Sequence, residues 1–277
     1  MDKKGLTKAE RVFKIGVILS IILISVTVTY FLLRIFVADQ FVVNTFSMYP
    51  TIPPGSKVVV NKMLFGPRIY KSLKFEEEGD LNAFRIKGFR GLQREDIVVF
   101  NFPFNKKRDR IAFTLNNVYV KRLIGLPGDT VLIESGYYKV EGVDIPLGYI
   151  PFQKQLSKGI HSQTIFIPNE VLFPQEAAYN WTKEAFGPLF IPHKGAIIHL
   201  STENYPLYKL LIEGESKKEL VIKNGVFFLG GEEIRDYVFK NNYCFVAGDN
   251  VFNSTDSRYF GPIPEDYIVG IVKWIRK

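Results

Sequence analysis

The hydrophobic pattern divides the chain into two unequal parts. A run without charged residues extends from Ile15 to Leu33, and no polar face recurs at helical spacing within it. At about 1.5 Å per residue, a helix over this run reaches roughly 28 Å, close to the hydrocarbon thickness of a bilayer. After residue 38, long helical periodicity is absent. Short β-rich runs bounded by Gly, Pro, Asn or Asp take its place.

The long apolar run predicts a retained membrane anchor. A cleaved signal peptide usually has a shorter apolar region of about 7–15 residues, followed by a small-x-small site. Here bulky residues follow the run, and Arg34 near its far end can reach the lipid headgroups. Because basic residues precede the run, we expect the N-terminus in the cytoplasm. The expected divisions are a basic tail over 1–14, an anchor over 15–37 and an extracytoplasmic domain over 38–277.

The β-rich runs predict a mostly β, mainly antiparallel domain. Seven runs support this prediction: KVVVNKM (57–63), DIVVFNF (96–102), VYVKRLIG (118–125), DTVLIE (129–134), GAIIHL (195–200), GVFFLG (225–230) and YCFVAG (243–248). Residues 66–95 are charged and glycine-bearing, as in a surface excursion. Residues 135–240 are weakly patterned, and we interpret them as a large insertion with some strands of its own. The core of the domain is then expected over about 41–134 and 241–277.

Composition and charge exclude several classes of protein. With 47% apolar and 23% charged residues, the chain is neither disordered nor low-complexity. The net charge of +8 first suggests nucleic acid. However, residues 1–14 contain five basic and two acidic residues, so only +5 remains for the rest. No RNP or zinc-finger pattern is present. We therefore expect no nucleic-acid partner.

The cysteine and histidine content argues against a metal site. The single cysteine, Cys244, forms no internal disulfide and allows no cysteine zinc site, and we interpret it as an inert core residue. A multi-histidine site would need nearly all of the three histidines in the chain, His161, His193 and His199. We expect neither a metal nor another cofactor.

Three segments carry candidate chemistry, and each has an ordinary structural alternative. Ser47 lies in a proline-punctuated loop soon after the anchor, where a serine is usually only a turn former. Lys121 lies between apolar neighbours on a predicted strand. It is either a cation on an exposed edge or a desolvated lysine with a lowered pKa, able to act as a general base. The segment 247–270 is dense in small polar residues, which suits a turn network held by Asp256 and Arg258.

Taken together, these segments resemble the bacterial type I signal peptidase (leader peptidase) family. SMYPT resembles the nucleophile box, and PPGSKVVVNK the strand after it. REDIVVFNFP and YVKRLIGLPGDTV resemble the segments that lead to and carry the general base. GDNVFNSTDSRYFGPIPEDYIVG resembles the C-terminal box. The matched parts cover about a third of the chain. The resemblance implies a signal-peptidase-like antiparallel β domain with a large insertion, preceded by one transmembrane helix.

The resemblance also implies a serine–lysine dyad, in which Ser47 is the nucleophile and Lys121 the general base. Lys121 would accept the hydroxyl proton of Ser47, return a proton to the leaving amine and then activate the deacylating water. Thr45 matches a hydroxyl that forms the oxyanion hole together with the backbone N–H of Ser47. Ser254 matches the family position whose hydroxyl orients the lysine.

The same resemblance implies the substrate pockets and the support of the site. Val43 and Val120 match residues that line shallow apolar pockets, which accept small side chains one and three positions before the cut. Asp256 and Arg258 match structural residues that support the site. Four positions outside the dyad depart from the usual family pattern of proline, a small residue, glycine and a basic residue, namely Asn44, Phe46, Glu95 and Val251.

The resemblance therefore implies a membrane-anchored serine endopeptidase that removes N-terminal signal peptides from exported preproteins after an Ala-x-Ala-like site. The expected partners are these preproteins and the lipid bilayer, with the secretion translocon nearby. The expected location is the inner (cytoplasmic) membrane, crossed once. Two alternatives stay open: a specialised serine–lysine processing peptidase with a narrow substrate, and an inactive anchored scaffold.

Overall fold

A computed structural model of the protein describes residues 7–72, 74–160 and 171–276. The first six residues of the predicted basic tail and His161 lie outside these ranges. The described part of the chain consists of one long helix followed by a β-rich body.

The N-terminal helix, α1 (Lys8–Phe36), begins inside the predicted basic tail. Thr7 and Glu10 form a capping box that explains this start: the Thr7 hydroxyl accepts from the Glu10 N–H, and the Glu10 carboxylate accepts from the Thr7 N–H. No side chain of α1 is buried within the protein. Within the described ranges, α1 is the one helix long and apolar enough to cross a membrane.

The β-rich body confirms the predicted fold class, and each of the seven predicted runs contains a strand. The strands of the described ranges are β1 (Ala38–Val43), β2 (Ser56–Asn61), β3 (Arg68–Tyr70), β4 (Ala83–Arg85), β5 (Ile97–Asn101), β6 (Val118–Gly125), β7 (Thr130–Glu134), β8 (Tyr137–Val140), β9 (Phe186–Phe190), β10 (Ile197–His199), β11 (Leu220–Lys223), β12 (Val226–Leu229), β13 (Glu232–Ile234), β14 (Asp236–Val238), β15 (Tyr243–Ala247), β16 (Ile263–Pro264) and β17 (Ile268–Arg276). The remaining helices are α2 (Ile150–Ser157), α3 (Tyr205–Ser216) and α4 (Ser257–Phe260), with 3₁₀ turns at Ala177–Tyr179 and Glu265–Tyr267.

The principal sheet has seven strands in the order β1-β2-β17-β5-β6-β15-β16. Its pairings are antiparallel, with Val98 opposite Lys121 and Ala247 opposite Arg122. Strand β6 therefore lies in the interior of the sheet, whereas β1 is an edge strand that pairs with β2 alone. Four smaller sheets complete the body: β8-β7-β9, β11-β12-β13, β10-β14 and β3-β4. The hairpin β3–β4 lies within the predicted surface excursion.

The described residues form two hydrophobic cores. The larger one joins side chains of the principal sheet, such as Phe245, to side chains from residues 135–240, such as Leu156 and Tyr208. The smaller one lies under the β1–β2 connection and contains Val43, Met48, Ile52, Val58, Val60, Val99, Val120 and Val269. The described parts of this segment, 135–160 and 171–240, thus share a core with the principal sheet.

The prediction that long helical periodicity is absent after residue 38 overlooked α3, an amphipathic helix of 12 residues. Its buried residues recur at helical spacing: Leu207, Tyr208, Leu211 and Ile212. Gly214 weakens the helical signal but is required by packing, since a Cβ there would lie 2.6 Å from Ile111 Cδ1. Only the tertiary contact reveals why a glycine is placed inside this helix.

Replacement of Phe245 by alanine tests the shared core. Phe245 is fully buried, so Phe245→Ala is expected to lower the free energy of unfolding by about 3–5 kcal/mol. Phe89→Ala is the matched control, because Phe89 is 77% exposed and its loss is expected to change stability by less than about 0.5 kcal/mol. Denaturant unfolding of the detergent-solubilised protein measures both. Equal effects of the two substitutions would contradict the assignment of Phe245 to the core.

Candidate active site

Ser47 lies in the loop between β1 and β2, and the side chain is 8% exposed. The loop is held from below because Met48 and Ile52 are fully buried in the smaller core. A turn closes over them, with the Ile52 N–H donating to the Met48 carbonyl at 2.8 Å. From the side, the Asn250 N–H donates to the Ser47 carbonyl at 3.0 Å. Burial of its neighbours therefore fixes Ser47 at the edge of the sheet.

Lys121 reaches Ser47 from the interior strand β6. Its Nζ lies 2.8 Å from Ser47 Oγ and 3.1 Å from the Val120 carbonyl oxygen. The side chain is 4% exposed, and this burial lowers the pKa of Lys121 from 10.5 to about 8. The nearby carboxylates of Asp256 and Asp249 oppose this lowering of the pKa. A serine hydroxyl and a partly neutral amine are thus in direct contact, an arrangement that suits general-base catalysis.

The two other predicted hydroxyls, those of Thr45 and Ser254, both lie near Ser47. Thr45 Oγ1 is 3.2 Å from Ser47 Oγ. Ser254 is buried, and its hydroxyl helps to lower the pKa of the Asp256 carboxyl group. It also packs closely against Gly248, where a Cβ would lie 2.2 Å from Ser254 Oγ and 2.5 Å from the Ser47 carbonyl oxygen. Since Lys121 Nζ contacts Ser47 and Val120, the lysine-orienting role of Ser254 stays a prediction.

Asp256 and Arg258 form a buried ion pair behind the dyad. Two hydrogen bonds of 2.8 Å join the guanidinium to the carboxylate, and both side chains are almost fully buried. The carboxylate also accepts from the Gly248 N–H at 2.9 Å, while Arg258 donates to the Val251 carbonyl at 3.1 Å. Burial alone would raise the pKa of Asp256, but Arg258 and the Gly248 N–H hold it below its ordinary value. The pair therefore fixes the turn that borders Ser47.

A second buried ion pair was missed by the sequence analysis. Arg122 donates to both carboxylate oxygens of Asp249, at 2.7 and 2.6 Å, and the Asp249 side chain is fully buried. Asp249 also accepts from the Thr51 hydroxyl, which ties the loop between β1 and β2 to this pair. The sequence did indicate that Arg122 needs a partner, because Lys121 and Arg122 place one cation on each face of an otherwise apolar strand. The partner of Arg122 lies 127 residues away and was not identifiable from spacing.

Glu95, at a position where glycine is usual, has a left-handed backbone with φ of +72°. Glycine adopts this conformation without the steric penalty that a glutamate side chain incurs. The Glu95 carboxylate accepts from the Gly148 N–H at 2.8 Å, and its carbonyl accepts from Arg122 at 3.2 Å. This departure from the family pattern therefore links residues near the start of α2 to the back of strand β6.

A cleft of about 310 Å³ opens beside the dyad, between the end of β1 and strand β6. Both predicted pocket residues, Val43 and Val120, line it, as do Ser47 and Lys121. Most of its surface is apolar. Within the described ranges, no group of three or more His, Cys, Asp or Glu side chains is arranged to hold a metal ion.

Comparison with known proteins identifies the family. A family model described as signal peptidase, peptidase S26, matches residues 14–276. The chain belongs to this S26 family. The match includes residues 135–240 as well as the three segments that resemble the signal peptidase family. It therefore confirms the resemblance.

Curated relatives of this S26 chain are signal peptidase I proteins. That of Buchnera aphidicola is 26% identical over 252 residues, covering 90% of this chain and 73% of the relative. That of Bacillus caldolyticus is 32% identical over 128 residues, covering 46% and 52%. That of Pseudomonas fluorescens is 24% identical over 249 residues, covering 86% and 64%. The chain thus spans between about half and three quarters of the length of these relatives.

A solved structure is also similar to this S26 chain. The crystal structure of a signal peptidase I from Enterococcus faecalis matches 66% of this chain and 98% of its own length, with 20% identity and a TM-score of 0.32.

Gly248→Ala tests whether the tight packing beside Ser47 maintains the site of this S26 peptidase. A methyl group at residue 248 collides with Ser254 and with the Ser47 carbonyl, so we expect at least a tenfold loss of kcat/KM on a signal-peptide substrate. Gly91→Ala is the matched control, since a Cβ at Gly91 meets no atom within 4 Å. Gel-based cleavage assays of both variants provide the measurement. Full activity of Gly248→Ala would contradict this account.

Proposed function

We propose that this S26 serine endopeptidase removes signal peptides from exported preproteins by acyl-enzyme catalysis at Ser47 and Lys121. The observation that carries the proposal is the 2.8 Å contact between Lys121 Nζ and Ser47 Oγ in a buried site. These residues are 74 positions apart, so the fold has to bring them together. The S26 family match and the cleft beside the dyad support the same reaction class.

In the first half of the proposed reaction, the neutral amine of Lys121 accepts the hydroxyl proton of Ser47 as Oγ attacks the scissile carbonyl carbon. The Thr45 hydroxyl and the Ser47 backbone N–H donate to the oxyanion that forms. The protonated amine then gives its proton to the leaving nitrogen while the C–N bond breaks. The products are an acyl ester on Ser47 and a free mature chain.

In the second half, the neutral amine of Lys121 removes a proton from a water molecule that attacks the ester. The proton passes to Ser47 Oγ as the C–O bond breaks, which releases the signal peptide and restores the enzyme. Both halves need a neutral lysine. With a pKa of about 8, roughly a tenth of the amine is neutral at pH 7, about 300-fold more than at a pKa of 10.5.

The apolar cleft supports specificity for small side chains before the cut. Val43 and Val120 both line the mostly apolar cleft that contains Ser47 and Lys121. Large side chains would collide with the walls, and charged ones would lose hydration without a partner. We propose that this cleft accepts the small residues of an Ala-x-Ala-like site.

The junction between α1 and the sheet supports a membrane-anchored arrangement. The Arg34 guanidinium bonds to Asp39 at 2.7 Å, while Lys62 Nζ donates to the Arg34 carbonyl at 2.7 Å. These contacts tie the end of the helix to β1 and β2, and Ser47 follows only eleven positions after Phe36. Substrate and enzyme would share one bilayer, which raises their effective concentration. We propose a single-pass inner-membrane location with a cytoplasmic N-terminus, close to the secretion translocon.

The buried lysine bears on the two alternatives. An inactive scaffold gains nothing from Lys121, because burying an amine costs free energy and a solvated or apolar residue would avoid that cost. A specialised processing peptidase would use the same dyad and differ in substrate alone. Cleavage of a generic preprotein distinguishes this second alternative from the proposed function.

Substitution of each dyad residue tests the proposed chemistry. Ser47→Ala and Lys121→Ala are each expected to lower cleavage of an Ala-x-Ala preprotein by at least 1,000-fold, because each removes a group used in both half-reactions. Ser72→Ala and Lys139→Ala are matched controls at exposed positions and are expected to retain activity. Gel shift and sequencing of the new N-terminus identify the product. Persistent cleavage by Ser47→Ala would refute the nucleophile assignment.

The pH dependence of cleavage tests the state of Lys121. Its lowered pKa means that the active amine is protonated below about pH 8 and free above it. We therefore expect kcat/KM to rise about tenfold per pH unit below 8 and to level off above it. Thermal unfolding at each pH serves as the control for loss of structure. A profile that keeps rising to pH 10.5 would show that the lysine is not perturbed.

A further inference from the structure

An exposed aromatic surface begins beside Ser47 and continues onto α2. We call Phe46, Tyr49, Tyr149, Phe152 and Phe252 the aromatic wall. We infer that the aromatic wall is the subsite for an apolar or aromatic side chain directly after the scissile bond of the substrate. This inference deepens the proposed function and rests on it.

Ring contacts join the members of the aromatic wall into one surface. The Phe46 and Tyr49 centroids are 6.4 Å apart, and Tyr49 stacks on Phe152 at 6.3 Å. Phe152 also contacts Tyr149 at 5.2 Å and Phe252 at 5.9 Å. Although they contact each other, Phe46 and Tyr49 remain 45% and 42% exposed. Two large aromatic side chains on the nucleophile loop are therefore available to a ligand.

The supports of α2 make the aromatic wall a preformed surface. The Gly148 N–H before the helix donates to Glu95 at 2.8 Å. Within the helix, Gln153 is fully buried, donates to the Leu147 carbonyl at 2.7 Å and accepts from the Tyr138 N–H at 2.9 Å. Phe152 is thus held against Tyr49 before any substrate arrives, which reduces the entropy cost of binding.

The position of the aromatic wall relative to the cleft assigns it to the leaving side of the substrate. Ser47 and Lys121 line the cleft, whereas no member of the aromatic wall does. In the proposed reaction the acyl part of the substrate fills that cleft. The chain that follows the scissile bond has to continue past Ser47, where Phe46 directly precedes the nucleophile. The cleft and the aromatic wall would form one continuous path.

The chemistry of the aromatic wall selects the class of side chain. Its members carry no charge, and the exposed rings of Phe46 and Tyr49 suit offset-stacked or edge-to-face contacts. A carboxylate placed there would lose hydration without gaining a cationic partner from the aromatic wall. An apolar or aromatic side chain would instead bury surface against rings that are already fixed. The expected preference is about three- to tenfold in kcat/KM.

The test uses the full-length protein in detergent with four preproteins that share one signal peptide and one Ala-x-Ala site. They differ only in the first residue after the cut, which is Phe, Leu, Ala or Asp. For the wild type, kcat/KM is expected to be about three- to tenfold higher with Phe than with Asp. In Phe152→Ala this ratio is expected to fall below about twofold, with Phe152→Leu intermediate. The matched control Phe89→Ala is expected to keep the wild-type ratio.

Several outcomes would overturn the inference. Equal rates on the four preproteins, or an unchanged ratio in both Phe152 variants, would remove the subsite while leaving the proposed function intact. An unchanged ratio together with weaker binding of Phe152→Ala to phospholipid vesicles would assign the aromatic wall to lipid contact. Failure of the wild type to cleave any of the four would contradict the proposed function, and this subsite with it.

Discussion

The burial of Lys121 against Ser47 is the constraint on which the site depends. An amine is removed from water only if the surrounding chain excludes solvent from several directions at once. Here an interior strand carries the lysine, and the nucleophile loop covers it with Met48 and Ile52 buried beneath. Desolvation lowers the pKa of Lys121 to about 8, and the nearby carboxylates of Asp256 and Asp249 keep it from falling further. Reactivity is thus a consequence of packing as much as of residue identity.

Two buried ion pairs hold the surfaces that enclose this lysine. Arg122 and Asp249 join β6 to the turn that begins after β15, while Asp256 and Arg258 fix a later part of the same turn. Each pair is bidentate, and each carboxylate also accepts from a further donor. Removal of one partner would leave an uncompensated buried charge, which is far more costly than the pair itself. The pairs therefore act as rigid supports for Ser47.

Residues 135–240 contribute to the site as well as to the core. Their side chains join the larger hydrophobic core, so this part of the chain packs with the principal sheet as one body. Through Glu95 and Gly148, α2 is tied to the strand that carries Lys121, and Phe152 stacks beside the nucleophile loop. A left-handed glutamate in place of the usual glycine thus gives this chain a connection that glycine has no side chain to make.

Local patterns in the sequence were sufficient to predict the long apolar helix, the seven β-rich runs, and the three segments that carry the serine, the lysine and the polar turn. These signals are local, since periodicity, turn residues and motif order are all read over short stretches. The helix α3 was missed because its periodicity is short and interrupted by Gly214, whose necessity comes from Ile111. The partner of Arg122, the 2.8 Å dyad contact and the contact between Phe152 and Tyr49 were decided only by tertiary structure. Each joins residues about 70 or more positions apart, and sequence spacing carries no information about such approaches.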